Sequence, residues 1–154
     1  MIKKLLQFIF IDDVLKGDIA FLEKIDLFRG LSKRSLAKVA LIVFKKTYFD
    51  GEKIYEANQE ANVVYIVKNG QIKLTGKNLS KVVESEDFFG ERSLVENNKH
   101  DCSSIALKES ELYLIYRAKF YDMAESDNKA GFTIMRNLAS ILAAKFDSPE
   151  LQEK

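Results

Sequence analysis

The sequence predicts an α+β fold that is mainly β, with helices on either side of a β-rich middle. Three observations carry this expectation. Apolar residues recur at helical spacing before Phe44 and again after Arg117. Residues 45–115 instead show short alternating or apolar runs separated by turn residues. Neither flank is long enough to fold alone, so one core has to join them into a single domain over residues 1–154. The expected division is N-terminal helices over 1–44, a β-barrel over 45–116, C-terminal helices over 117–146 and a tail over 147–154.

Ile2, Leu5, Leu6, Ile9, Phe10, Val14 and Leu15 repeat as one face of a helix, which Gly17 is expected to break. Ile19, Phe21, Leu22, Ile25 and Leu27 predict a short second helix ending near Gly30. Ser32 is placed to cap a third, carrying Leu36, Val39, Ala40, Ile42 and Val43. Strands are predicted at residues 47–49, 53–56, 63–68, 71–75, 80–83, 103–107 and 111–116. Asp50-Gly51, Asn58-Gln59, Asn69-Gly70 and Gly76-Lys77-Asn78 separate them. Asn69-Gly70 reads as a hairpin, because both residue types tolerate positive φ. Many short strands at this spacing suggest a sandwich or barrel. The helical period returns at Phe120, Met123 and Ala124. A longer stretch follows, with Ala130, Phe132, Ile134, Met135, Leu138, Ile141, Leu142 and Phe146, closed by Pro149 and a charged tail. Its apolar stripe reads as core or as a dimer seam.

Composition narrows the function. Lys and Arg number 24 against 23 Asp and Glu, so the basic excess of a duplex DNA binder is missing. A single cysteine, Cys102, excludes an internal disulfide and fits a cytoplasmic setting. His100 is the sole histidine, which leaves no convincing metal set with Cys102 and no Ser-His-Asp set. No glycine-rich phosphate loop of the nucleotide-hydrolase type is present. The sequence therefore does not read as an enzyme. Lys3 and Lys4 precede a short apolar run, but Asp12 and Asp13 stop it and no small-residue cleavage site follows, so no leader is expected. No run reaches the ~18 apolar residues of a membrane span.

The informative segment is Asp87-Phe-Phe-Gly-Glu-Arg-Ser-Leu94, followed by the polar residues 95–101 and then Cys102-Ser-Ser-Ile-Ala-Leu107. Phe88 and Phe89 can anchor a strand end in the core, and Gly90 lets the backbone turn sharply. Glu91 would then present a carboxylate at the start of a short helix beginning near Arg92. Amides at such a start attract anions. A carboxylate beside an anion cradle suits a ligand with hydroxyls and a phosphate. Glu91 also reads simply as a helix cap, Ser103 and Ser104 as strand residues, and residues 96–101 as a solvated loop.

With these residues in view, the chain resembles the cyclic-nucleotide-binding domain family of catabolite activator proteins and kinase regulatory subunits. The resemblance runs from about Phe21 to Phe146. It rests on Phe21-Leu-Glu-Lys-Ile-Asp-Leu-Phe-Arg-Gly-Leu31, Tyr48-Phe-Asp-Gly-Glu-Lys-Ile-Tyr55, Val64-Tyr-Ile-Val-Lys-Asn-Gly-Gln-Ile-Lys-Leu74 (similar to the family's central hairpin), Phe89-Gly-Glu91 and Leu114-Ile-Tyr-Arg-Ala-Lys-Phe120. It implies a jelly-roll (double-stranded β-helix) barrel flanked by N-terminal helices and C-terminal hinge and lid helices.

The resemblance also implies a site. Phe89, Gly90, Glu91, Arg92 and Ser93 fall in the phosphate-binding cassette, where Glu91 takes the role of the ribose-binding carboxylate. Cys102, Ser103 and Ser104 follow it, and Ser103 or Ser104 takes the phosphate-binding hydroxyl. Arg136 and Asn137 are candidate contacts on the lid helix. No cofactor is implied. The ligand would be cyclic AMP, cyclic GMP or another nucleotide.

The sequence departs from the family at the arginine that pairs with the phosphate. That residue lies ten or eleven positions after the cassette glycine, which here gives His100 or Asp101. Taking Ile105 as the inward residue of the strand favours Asp101. Two like charges about 4 Å apart at an effective dielectric near 20 repel by roughly 4 kcal/mol before solvent discount. Ordinary cyclic AMP recognition then needs Arg92, Lys99 or a protonated His100 as substitute. The alternative is a module that binds no nucleotide and serves as an interaction or dimerisation scaffold. The chain ends at Lys154, eight residues after Phe146, so no DNA-reading region is expected and output would pass to a protein partner or a second copy.

Overall fold

The computed structural model describes residues 1–147, with side chains throughout except for residues 5–11. The side chains of Leu5, Leu6, Ile9 and Phe10, together with Pro149, lie outside the described residues. The chain groups into two compact units. One is Met1–Leu41 together with the segment from Met123 onward, and the other is Ile42–Asp122.

The first unit is helical. Helix α1 spans Ile2–Leu22 and passes through Gly17 without a break. An exposed glycine inside a helix costs only about 1 kcal/mol relative to alanine, which neighbouring turns outweigh. The expected second helix is a single 3-10 turn, Asp26–Phe28, with Leu27 and Phe28 buried. Helix α2, Lys33–Leu41, starts where expected: the Ser32 hydroxyl accepts the Ser35 N–H at 3.1 Å. Ile42 and Val43 fall beyond its end. Helix α3, Arg117–Ser126, straddles the two units, and α4 spans Asn128–Phe146.

Asp127 organises the start of α4. Its carboxylate caps the helix by accepting the Ala130 N–H at 3.1 Å, and it also accepts Ser35 Oγ at 3.0 Å and Lys38 Nζ at 3.1 Å. The amide bond first and the lysine next hold its carboxyl below the usual range. Asn137 donates to the Leu27 and Arg29 carbonyls at 3.1 and 2.8 Å, which ties α4 to the 3-10 turn.

The second unit is the jelly roll. Its strands are β1 (Phe44–Tyr48), β2 (Lys53–Tyr55), β3 (Glu60–Ala61), β4 (Val63–Asn69), β5 (Gln71–Gly76), β6 (Leu79–Glu84), β7 (Phe88–Phe89), β8 (Asn98–Lys99), β9 (Cys102–Ala106) and β10 (Ser110–Tyr116). One antiparallel sheet runs β1-β10-β4-β7 and the other β2-β9-β5-β6, with β3-β8 as a separate pair. Tyr48, Val63, Tyr65, Val67, Phe89, Leu112 and Leu114 from the first sheet meet Tyr55, Ile72, Leu74, Val83, Cys102 and Ala106 from the second in one core.

This topology corrects the reading of Asn69-Gly70. β4 and β5 belong to different sheets, so the pair is a corner where the chain changes sheet and not a hairpin. Gly70 has φ +107°, and a Cβ there would lie 2.0 Å from Ser110 Oγ. The hairpin is the next connection, where Gly76 pairs with Leu79 across Lys77-Asn78.

Candidate functional site

The cassette lies in the second unit, between β7 and β9. Phe88 and Phe89 pair with Ile66 and Tyr65 of β4, which fixes where the chain leaves the sheet. Gly90 then turns at φ +73°. A Cβ here would sit 2.9 Å from the Val63 carbonyl oxygen, so both conformation and space require glycine. A 3-10 helix, Glu91–Leu94, follows, with Glu91, Ser93 and Leu94 buried. The Gly90-Glu91 turn thus has the expected form, although the helix is a single short turn.

The far end of this helix is held from α3. Arg117 donates to the carbonyls of Ser93 at 3.2 Å and Glu96 at 2.8 Å, and to the side-chain oxygen of Asn97. Tyr121 donates to the Leu94 carbonyl at 2.6 Å. Helix ends leave carbonyls without helical partners, and a guanidinium and a phenol satisfy them here. Nothing in the local sequence relates Arg117 to residues 93–97, so this latch was not foreseen.

At the other side of the cassette, Asp101 accepts a hydrogen bond from Arg92 at 3.1 Å, and Arg92 also pairs with Glu96 at 3.2 Å. Arg92 is therefore committed to two carboxylates, neither of them Glu91. The inward face of β9 carries Cys102, Ser104 and Ala106, whereas Ile105 is only half-buried. The expectation that Ile105 points inward is thus corrected. In a run as uniformly small as Cys-Ser-Ser-Ile-Ala, side-chain size does not reveal which parity faces the core.

His100 shares the burial of that inward set and is not part of a solvated loop. Its ring stacks on Tyr55 with centroids 3.5 Å apart and planes at 6°. Burial lowers its pKa, while neighbouring Asp101 pulls the other way. Protonated His100 is therefore disfavoured as a substitute for the arginine. The polar stretch 96–101 also contains β8, whose Lys99 and Asn98 pair with Glu60 and Ala61.

Both serines accept a backbone N–H. Ser104 Oγ accepts the Tyr55 N–H at 3.2 Å and Ser103 Oγ accepts the Ala57 N–H at 3.0 Å. Tyr55 Oη lies 3.7 Å from Cys102 Sγ. Burial raises the Cys102 thiol above its ordinary range, the Tyr55 contact partly offsets this, and the carboxylates of Asp101 and Glu91 add to the rise. Tyr55 further packs against Tyr65 and Phe89, centroids 5.5 and 6.0 Å away, and Tyr65 stacks on Phe89 at 5.1 Å. Burial drives both tyrosine pKa values far above their ordinary range. This aromatic stack was also not foreseen, since its members are far apart in sequence. Asn137 is engaged within the helical unit as described, and Arg136 is exposed on α4.

With this geometry established, comparisons place the chain. The model of the cyclic nucleotide-binding domain matches residues 45–127. The cGMP-dependent protein kinase egl-4 of Caenorhabditis elegans is 27% identical over 56% of the chain, which corresponds to 12% of the kinase. The cyclic AMP receptor protein of Thermus thermophilus is 21% identical over 82% of the chain and 59% of that protein. The chain thus spans much less than the full length of these relatives. Among solved structures, a putative cyclic nucleotide-binding protein from Geobacter metallireducens superposes with a TM-score of 0.68 at 25% identity, covering 80% of this chain and 93% of that one. The regulatory domain of Toxoplasma gondii PKA, solved with cAMP, gives 0.71 at 21% identity, covering 85% and 50%.

Proposed function

The chain belongs to the cyclic nucleotide-binding domain family, and from that premise we propose a non-enzymatic regulatory module whose cassette is held together by its own side chains. Its output runs through the C-terminal helices to a protein partner or a second copy of the chain. The cytoplasmic setting expected from the cysteine content is part of the same proposal.

The observation that supports this reading is the Arg92–Asp101 pair at 3.1 Å. With Cys102, Ser104 and Ala106 on the inward face of β9, strand parity moves the position of the phosphate arginine from Asp101 to His100, whose burial disfavours a positive charge, and an entering cyclic phosphate meets the Asp101 carboxylate beside it. The nearest guanidinium is already shared between Asp101 and Glu96. The remaining groups assigned to the phosphate, Ser103 and Ser104, are fixed in place by accepting backbone N–H groups and keep their own O–H to donate. Arg117 and Tyr121 hold the cassette's carbonyl end. In this reading the internal bonds take the organising role that a ligand would otherwise have.

Calorimetric titration with cyclic AMP and cyclic GMP tests it. The native chain is expected to give no heat up to millimolar nucleotide. His100→Arg combined with Asp101→Asn is expected to bring binding into the measurable range, since each ~1.4 kcal/mol recovered is tenfold in affinity. Micromolar binding by the native chain would overturn the proposal. It would establish the second reading, a sensor of cyclic AMP, cyclic GMP or another nucleotide. One feature favours that reading: Gly90 keeps its positive φ and Glu91 its buried place at the helix start.

The output surface we assign to α4. Phe132, Met135, Ala139, Leu142 and Phe146 follow one another at steps of three and four. Phe132 and Phe146 are 69% and 76% exposed, although Ala130, Gly131, Ile134 and Leu138 of the same helix are buried. A second apolar stripe at heptad spacing suits pairing of this helix with its counterpart in another copy.

A further inference from the structure

Helix α1 packs along only a small part of its length. Its described side chains are exposed from Met1 to Gly17, apart from half-buried Leu15. Burial begins at Asp18, Phe21 and Leu22. The turns before Asp18 run for about 24 Å at the helical rise. At its described positions this stretch gains little from packing, and a helix of that length is marginal in water unless an apolar face is covered.

The sequence of these turns supplies such a face. At ~100° per residue, residues 2–10 divide into two sides. Ile2, Leu5, Leu6, Phe8, Ile9 and Phe10 fall on one side, over an arc of about 200°. Lys3, Lys4 and Gln7 fall on the other. Ile11 comes round among these three, and Asp12 and Asp13 then end the pattern. No other charged side chain precedes Asp12, and Asp12 itself is paired with Lys16 at 2.8 Å.

Two features select what covers this face. The apolar arc is much wider than the narrow seam by which two helices pair, and it suits a helix half-immersed at a membrane interface. Lys3 and Lys4, both exposed, carry the charge that anionic headgroups attract. Ten residues of helix cover only about half of a bilayer's hydrocarbon core, so such a helix lies along the surface and does not cross it. We propose that residues 2–11 of α1 dock the chain on an anionic membrane surface, apolar side inward and lysines among the headgroups. Short apolar area together with two charges makes this docking reversible. It is independent of the cassette.

Co-sedimentation of the full chain with lipid vesicles tests it. One set is phosphatidylcholine alone, and the other is phosphatidylcholine with phosphatidylglycerol at about two to one. Partition into the anionic set is expected to be at least about tenfold stronger, and to weaken as salt is raised. Lys3→Glu with Lys4→Glu is expected to remove that preference. Lys77→Glu with Lys81→Glu makes the same change of charge at exposed positions of the β unit and is expected to leave partition unaltered. Ile9→Asp is expected to abolish partition. Ile2→Asp, at a side chain 74% exposed, keeps the folded unit intact and is expected to weaken partition by about tenfold. Absence of partition into anionic vesicles, equal partition into both sets, or equal effects of the two lysine pairs would each overturn the proposal. So would a change from dimer to monomer in Ile9→Asp without any vesicle binding by the native chain, which would give the face to a second copy.

Discussion

His100 illustrates how one residue couples the cassette to the solution around it. It is the single histidine of the chain, buried and stacked face to face on Tyr55. Burial lowers its folded pKa below the ordinary value of 6.5, and Asp101 only partly offsets this. The unfolded chain therefore takes up a proton near that value while the folded chain resists doing so. The unfolded state binds more protons in that window, so stability rises with pH there and falls as pH drops below the ordinary histidine value. We expect urea midpoints of the native chain to fall more steeply between about pH 7 and pH 5 than those of His100→Phe, which keeps a ring against Tyr55. Parallel curves for the two proteins would show that His100 does not carry the dependence. Gly90 and Glu91 were legible beforehand by their spacing within one segment, whereas spacing left His100 and Asp101 open and the parity used to choose Asp101 is reversed in β9. The place of His100 was not legible, because its partner Tyr55 lies on β2 and its neighbours Asn97, Asn98, Lys99 and Asp101 are all polar. Burial in that stretch is imposed by pairing of β8 with β3, two strands too short to show any alternation.

Among the elements, the corner between β4 and β5 is where a local cue pointed to the wrong structure. Asn-Gly marks a need for positive φ, and that need arises both in hairpins and where a chain changes sheets. The sequence pattern separates the two cases only through the partners of each strand: β10 and β7 for β4, and the adjacent β6 and distant β9 for β5. At Gly70 the requirement is steric as well as conformational, since the added carbon would lie 2.4 Å from Ser110 Cβ and 2.6 Å from its Cα. Gly70→Ala is therefore expected to destabilise the chain by about 2–4 kcal/mol, through forced displacement of β10 and strain at positive φ. Gly17 offers the opposite case. It sits in the interior of α1, has no positive φ, and an added carbon would meet nothing within 4 Å. Gly17→Ala should stabilise by roughly 0.5–1 kcal/mol, because it removes unfolded-state freedom and improves helix propensity. Equilibrium denaturation of the two variants beside the native chain measures both. A Gly70→Ala protein as stable as the native one would mean that the corner relaxes without strain.

For the whole molecule, the order of helices, strands and helices was legible because it rests on long periodic segments. The assembly built from it was not, because the same apolar stripe on α4 serves equally as core or as seam. The structure separates the two faces. Ala130, Gly131, Ile134 and Leu138 are buried, and Gly131 lets α4 approach α3 so closely that a Cβ would lie 2.7 Å from that of Ala124. Phe132, Met135, Ala139, Leu142 and Phe146 form the other face, at the spacing that keeps a seam in register between two helices. Each exposed phenylalanine, once covered, contributes roughly 1.5–3 kcal/mol of apolar burial. Two such residues per copy, four per pair, give a gross gain large enough to offset much of the cost of association. The native chain is accordingly expected to sediment as a dimer at micromolar concentration. Phe132→Glu with Phe146→Glu is expected to sediment as a monomer with an unchanged far-UV spectrum, because both side chains are exposed within one copy. If the native chain and the double variant sediment alike as monomers, α4 does not pair with itself. The exposed stripe then faces a different protein, and the output of the module is hetero-association.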